Sequence, residues 1–286
     1  MLAKEALTEE KEAPLSNNST MIKGSPKTSF DVILPAGGRI EGAFAEATGV
    51  TYKALIPWDE STLLRRIVET FRATPGVGRI VVIGGEEVGD EAKRREVDGV
   101  LSEGMSGPEN IFRGLDWLQR QSNPAQRVVV ATTDLPFLTQ EGVSSFLEAC
   151  PLEAEIAVPI IHAKDFEARY PNTGSTYVPI RQGSVTVGCV FQLSPEALLR
   201  ARPHIEQLFE VRKSQIALAR IVGFRTLFRL LTRSLEVKHI EARCEKLLRC
   251  RGKGVMGVAP ELAYDVDTLE DYEIAQKHLY AKEASS

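Results

Sequence analysis

Three places in this 286-residue sequence set chemically able residues where an apolar run ends. The first is Leu34-Pro35-Ala36-Gly37-Gly38-Arg39. Paired glycines let the backbone approach a bound molecule and turn N–H groups toward a base or a phosphate. A plain glycine turn would use the same residues, and the spacing is neither the dinucleotide G-x-G-x-x-G fingerprint nor a P-loop. The second is Asp134, just past the apolar run at 127–132 (RVVVAT) and followed by Leu135-Pro136. Its carboxylate is a hard ligand suited to Mg²⁺ bound together with substrate phosphates. A turn aspartate is the alternative, but the place at the end of a central apolar run favours the ligand. The third is Tyr264-Asp265-Val266-Asp267-Thr268-Leu269-Glu270-Asp271. On an extended chain Asp265 and Asp267 face the same way. Helix capping accounts for Thr268 and Asp271, but not for two acids on one side. Two carboxylate sites far apart in sequence suit a metal clamp on a triphosphate.

Such residues need strands that end beneath them. Short apolar runs alternate with longer segments of helical spacing, which predicts an α/β fold with a mainly parallel sheet and helices on both faces. Residues 30–36 (FDVILPA), 79–83 (RIVVI, ending at Gly84-Gly85), 97–101, 127–132 and 155–161 read as strands. Residues 177–180 and 184–187 read as a hairpin. Residues 61–73 carry apolar residues at helical spacing after a polar start, and 108–121 begin with a proline suited to a first helical turn. From 194 to 251 the pattern is almost wholly helical, broken at Pro203 and Gly223. Strand character returns at 254–259 and around 264–266, before a last helix over about 269–280. The chain thus divides into a disordered tail at 1–29, an α/β domain at 30–193 and 254–286, and a helical insert at 194–253.

Hydrophobic content of 43% and charged content of 26% are ordinary globular values, which excludes a largely disordered, collagen-like or disulfide-scaffold protein. The net charge of −4 hides an asymmetry. The insert holds 14 Lys and Arg against 6 Asp and Glu, while the rest holds 21 against 33. Four cysteines without a C-x-x-C pair, and four histidines without ligand spacing, point to free thiols in a reducing cytosol. Residues 1–29 lack the apolar core of a secretory signal, and no run reaches the roughly 18 apolar residues of a membrane span. A soluble, cytoplasmic protein is expected.

Taken in order, these residues resemble the nucleotidyltransferases with a MobA-like NTP transferase domain, whose α/β fold is Rossmann-like and glycosyltransferase-A-like. Leu34-Pro35-Ala36-Gly37-Gly38 resembles the family's L-A-G-G loop. Lys53, in Tyr52-Lys53-Ala54-Leu55-Ile56-Pro57, resembles its lysine before the segment that here begins Ser61-Thr62. Asp134-Leu135-Pro136-Phe137-Leu138 resembles its D-x-P-f motif, and Asp267-Thr268-Leu269-Glu270-Asp271 its closing D-T-p-E-D. Residues 104–110, leading into Gly114-Leu115, resemble its base-proximal loop and helix. The likeness covers 30–193 and 254–280, leaving the insert outside.

The resemblance implies transfer of a nucleoside monophosphate from an NTP to a small phosphorylated acceptor, a sugar or polyol phosphate or a molybdopterin-like molecule, with release of pyrophosphate. It implies Mg²⁺ held by Asp134 and Asp267, with Asp265 beside them, and Lys53 as a point charge on the phosphates. Leu34, Ala36, Gly37, Gly38, Arg39, Gly85, Gly107 and Asn110 would hold the nucleotide. Two departures stand out. Residues 39–50 replace the family's x-S-x-R-M-G loop and bring Glu41 and Glu46, with Arg39 as a substitute cation. Gly188-Cys189 stands where the family often has Gly-Asn near the acceptor.

The insert contains residues 220–233 (RIVGFRTLFRLLTR), where Arg220, Arg225, Arg229 and Arg233 interleave with Ile221, Phe224, Leu227, Phe228 and Leu231. The favoured reading is a helix that packs its apolar stripe on the domain and solvates its arginines. Contact with an anionic membrane surface, or with an acidic acceptor, is the alternative. Nucleic acid is not an expected partner, since the chain lacks a zinc module, an RNP-like motif and an overall basic charge. A non-catalytic nucleotide-binding or regulatory protein on the same fold, or a peripheral membrane protein using the basic helices, remain the rival functions.

Overall fold

Residues 29–95, 97–211 and 224–283 are described by the computed structural model. Strand β1 (Phe30–Pro35) shows how the core is laid out, with Val32 and Leu34 on one face of the sheet and Ile33 on the other. The same division recurs in β4 (Val77–Gly84), where Ile80 and Val82 oppose Val81 and Ile83. It recurs again in β6 (Val128–Ala131). A period of two sends successive side chains to opposite faces, so wholly apolar strands need cover on both. Helices α2 (Leu63–Ala73) and α5 (Gln140–Ala149) cover one face through Ile67, Phe71, Val143 and Phe146. Helices α4 (Gly107–Gln119) and α7 (Pro195–Val211) cover the other through Phe112, Leu115, Leu118 and Leu198.

Strands β5 (Gly99–Ser102), β4, β1 and β6 lie side by side and parallel. Antiparallel β10 (Val190–Leu193) follows, then β7 (Ile156–His162). The end of β7 pairs with the hairpin of β8 (Val178–Ile180) and β9 (Gly183–Val187), and its length pairs in parallel with β11 (Gly252–Met256). The sheet is mixed but mostly parallel, in agreement with the expected α/β class; apart from it, β2 (Pro57–Trp58) and β3 (Ser61–Thr62) form a short antiparallel pair, and α6 (Ala163–Arg169) follows β7. From β1 the chain moves to β4 and β5 on one side, then crosses to β6 on the other. A crevice therefore opens beyond the carboxyl ends of β1 and β6, where such sheets bind ligands.

Three expectations are corrected. Helix α7 runs through Pro203 without breaking. Proline costs one backbone hydrogen bond, but the Arg202 guanidinium lies 4.6 Å from the Phe112 ring centre, and Leu198 and Ile205 pack in the core beside it. Residues 264–266 form no strand; the Val266 N–H donates to the Asp134 carbonyl at 3.0 Å instead of joining a ladder. The basic amphipathic stretch is only partly docked. Arg220, Ile221 and the break expected at Gly223 lie outside the described residues, as does all but residue 29 of the expected tail. In α8 (Phe224–Leu231), Leu230 packs against Ile180, Val185 and Leu235, while Phe228 and Leu231 are 56% and 79% exposed. Among the described residues no helix is long and apolar enough to cross a membrane.

Gly114 of α4 sets how closely that helix approaches the sheet. A Cβ there would stand 2.7 Å from Ile33 Cγ2 and 2.9 Å from Ile83 Cδ1. Replacing glycine by alanine inside a helix ordinarily gains about 1 kcal/mol. Here overpacking against two buried branched side chains opposes that gain with about 1–3 kcal/mol. Gly114→Ala is therefore expected to lower the urea midpoint of unfolding, and a raised midpoint would refute the close approach.

Candidate active site

The divergent loop after Gly38 is a closed excursion. Helix α1 (Gly42–Thr48) forms its far end, and its two strands of chain meet again at the base. The Ile40 N–H donates to the Thr51 carbonyl and the Lys53 N–H to the Gly38 carbonyl, each at 2.9 Å. Lys53 is thereby set against the glycine loop, at the start of a 3-10 turn over Lys53–Leu55. Its ammonium donates to Asp134 Oδ2 at 3.2 Å and to Asp267 Oδ1. Asp134 follows the end of β6, and Asp267 arrives on the extended segment that Val266 pins to the Asp134 backbone.

Charge dominates this junction. Burial alone would lower the Lys53 pKa, but the Asp134 and Asp267 carboxylates outweigh it and hold the ammonium above its ordinary value. Asp265 shows the opposite balance. Burial, reinforced by Asp134 and Asp267, pushes its carboxyl up to about 6. Oδ1 of Asp134 is buried with no hydrogen-bond partner.

Beyond the ends of β1 and β6 opens a cleft of about 810 Å³. Gly37, Gly38, Arg39, Lys53, Gly107, Asn110 and Asp134 all border it, so these predicted site residues are brought together. Leu34 and Ala36 have fully buried side chains and do not border it. Gly85 does not border it either: it caps α3 (Glu86–Lys93), and its missing Cβ makes room for the Tyr52 hydroxyl beside Glu103. Asp265 and Asp267 border a second, polar cleft of about 470 Å³ with Ser175, Thr176, Thr186 and Cys189. The Lys53–Asp267 contact stands where the two clefts meet.

Sequence reasoning missed several residues here. Glu103 follows β5 and accepts from Arg39 Nη2 at 2.6 Å and from the Tyr52 hydroxyl at 3.1 Å. The Arg39 guanidinium lies 3.4 Å from the Tyr52 ring centre, a cation–π contact. The strand-end rule that found Asp134 also applies to Glu103. Ile205, Leu208 and Phe209 border the cleft from α7, and no local signal marks them. Asn110 is buried, and its Oδ1 accepts from the Gly104 N–H at 2.6 Å, which shapes the loop before α4.

The raised carboxyl of Asp265 yields a pH prediction for the metal-free protein. Between about pH 4 and 6 the folded state holds this proton and the unfolded state does not, so stability falls as pH rises through that window. Asp265→Asn is expected to gain melting temperature over wild type as pH rises from 4 to 7 in chelator. A difference that stays constant with pH would contradict it.

Comparison with known proteins agrees with this geometry. A family model described as a MobA-like NTP transferase domain matches residues 33–234, running past the start of the insert and stopping before Asp267. A hypothetical transferase from Thermus thermophilus is 32% identical, with a TM-score of 0.75 over 85% of this chain and 99% of its own. CMP:2-keto-3-deoxy-manno-octonic acid synthetase complexed with CTP is 15% identical, with a TM-score of 0.52 over 90% of this chain and 99% of its own. 2-C-methyl-D-erythritol 4-phosphate cytidylyltransferase, also from Thermus thermophilus, is 15% identical, with a TM-score of 0.51 over 89% of this chain and 100% of its own. These last two share the fold. No curated protein matches the sequence. With more than half its length matched, and with the glycine loop, lysine and strand-end aspartate assembled at one crevice, the chain belongs to the MobA-like NTP transferase domain family.

Proposed function

We propose that this protein transfers a nucleoside monophosphate from an NTP to a small phosphorylated acceptor and releases pyrophosphate. One observation carries the reading: a half-buried lysine held between two carboxylates, where a glycine-lined cleft meets a hydroxyl-lined one. The NTP lies in the first cleft, with its base toward Asn110 and the loop at 104–107 and its phosphates toward Lys53. The acceptor lies in the second, with its phosphate directed at the junction. An acceptor phosphate oxygen attacks the α-phosphorus in line. The new P–O bond forms as the bond to the α–β bridging oxygen breaks, and pyrophosphate leaves with that electron pair. Lys53 stays protonated and meets the growing negative charge as a preorganised point charge. No covalent bond to the protein is needed.

The donor set fits Mg²⁺. Asp134 presents a buried oxygen without a partner, and the partly desolvated Asp265 feels the charge of Asp134 and of the exposed Asp267. Among the described residues no three acidic, His or Cys side chains gather as a complete cage. Mg²⁺ is an ion that takes one or two carboxylates and fills its shell with water and phosphate oxygens. Asp134 and Asp267 would hold it, with Asp265 beside them. Bound there, the ion neutralises charge on the reacting phosphates.

Pyrophosphate release, measured with each of the four NTPs against a panel of phosphomonoesters in Mg²⁺, tests the proposal. At least one pair is expected to turn over, and EDTA to abolish turnover. Asp134→Ala and Lys53→Ala are each expected to lower kcat/KM by about 100-fold or more. Nucleotide binding without release for any acceptor would favour a regulatory nucleotide-binding protein instead. Full turnover by Asp134→Ala would sink the role given to that carboxylate.

A further inference from the structure

We infer that the last turn of α7 forms the base-side wall of the nucleotide cleft and that Phe209 stacks on the nucleobase; the identity of the cleft's occupant rests on the nucleotidyl-transfer reading above. Helix α7 carries one apolar stripe: Leu198, Ala201, Ile205, Leu208 and Phe209 recur at spacings of three and four, which places them on a single face. The first half of that stripe is ordinary core. Leu198 and Ala201 are buried, and Ile205 packs against the cluster that includes Phe112 of α4. Arg202, over the Phe112 ring, fixes the helix on α4 at the same level.

The core stops there, but the stripe continues. Leu208 and Phe209 reach the first turn of α4 and border the 810 Å³ cleft. The Phe209 ring edge comes to 3.5 Å from where a Cβ of Gly107 would stand. Met105, 96% exposed, borders the same cleft from the loop before α4. A triphosphate gains nothing from these groups, because phosphate oxygens need donors and cations. Those stand elsewhere in the cleft, at Lys53 and the Gly37-Gly38 backbone. A flat group with an apolar face does gain from them, and the base is the part of an NTP with that character. Every base has a π-face, so a phenylalanine wall raises affinity for all of them, while hydrogen bonding at the base edge does the selecting. The helical insert thereby contributes to the nucleotide site itself.

Equilibrium binding of the four NTPs to the full-length protein, set beside inorganic tripolyphosphate, tests this. Phe209→Ala is expected to weaken the tightest-bound NTP about tenfold and to leave tripolyphosphate within about twofold of wild type. Phe209→Tyr should restore NTP affinity, whereas Phe209→Leu, apolar but without a ring, should not. In turnover the loss should appear in KM with kcat retained. Equal NTP affinity for wild type and Phe209→Ala overturns the inference and leaves nucleotidyl transfer standing, as does an equal loss of tripolyphosphate binding. Absence of NTP binding by the wild-type protein overturns the nucleotidyl-transfer reading and the inference with it.

Discussion

Asp134, Asp265 and Asp267 repel one another, and two of them are brought against the same ammonium. Without Lys53 the junction would gather negative charge in a partly desolvated place, which is costly. With it, two carboxylates are paired, and the lysine offsets its own burial through both. The arrangement depends on two short backbone links. One joins Lys53 to Gly38, and the other joins Val266 to Asp134. Each is a single hydrogen bond, and together they bring residues more than two hundred positions apart to one point.

The sheet makes those links possible. Parallel strands end at a common level, so the loops after β5, β1 and β6 emerge along the same edge of the sheet. Gly37 lies where a side chain would collide with Glu103 and Asn110, and Gly114 lets α4 settle on Ile33 and Ile83. The glycines thus act through close approach. Arg39, expected as a cation for phosphate, is committed to Glu103 and stacked on Tyr52, which ties the divergent loop to the strand-end loop after β5.

The uneven charge along the chain takes on meaning in this setting. Part of the acidic excess of the body lies at the Lys53 junction, where the negative groups sit next to one another. The basic stretch at 194–253 is not a single surface device. Helix α7 is packed on α4 and reaches the cleft, Arg200 pairs with Glu155, and α9 (Val237–Leu248) sends Glu241 to the Gly254 N–H. Part of its positive charge has local partners, since Arg251 also pairs with Glu155 and Lys253 with Glu241, and what α7 brings to the cleft is apolar.

Strand-forming runs, the helices between them and the capping pair Thr268 and Asp271 were legible because each depends on neighbours within a few positions. So were Gly37, Gly38 and Asp134, since strand ends in a parallel sheet are where ligands meet the chain; Asp267 was singled out from a strand that does not form, and it reaches the junction on extended chain held by the Val266 N–H. The persistence of α7 through Pro203, the exposure of Phe228 and Leu231, the packing of Gly85 against the Tyr52 hydroxyl and the arrival of Phe209 at the cleft edge were not legible. Each is decided by what lies across the fold. The amino-acid sequence alone determined the α/β class and which loops could carry chemistry, because side-chain period and strand ends are local properties. Only the tertiary structure decided that Lys53, Asp134 and Asp267 share one charge balance, because Coulomb energy depends on distance in space and is indifferent to separation along the chain.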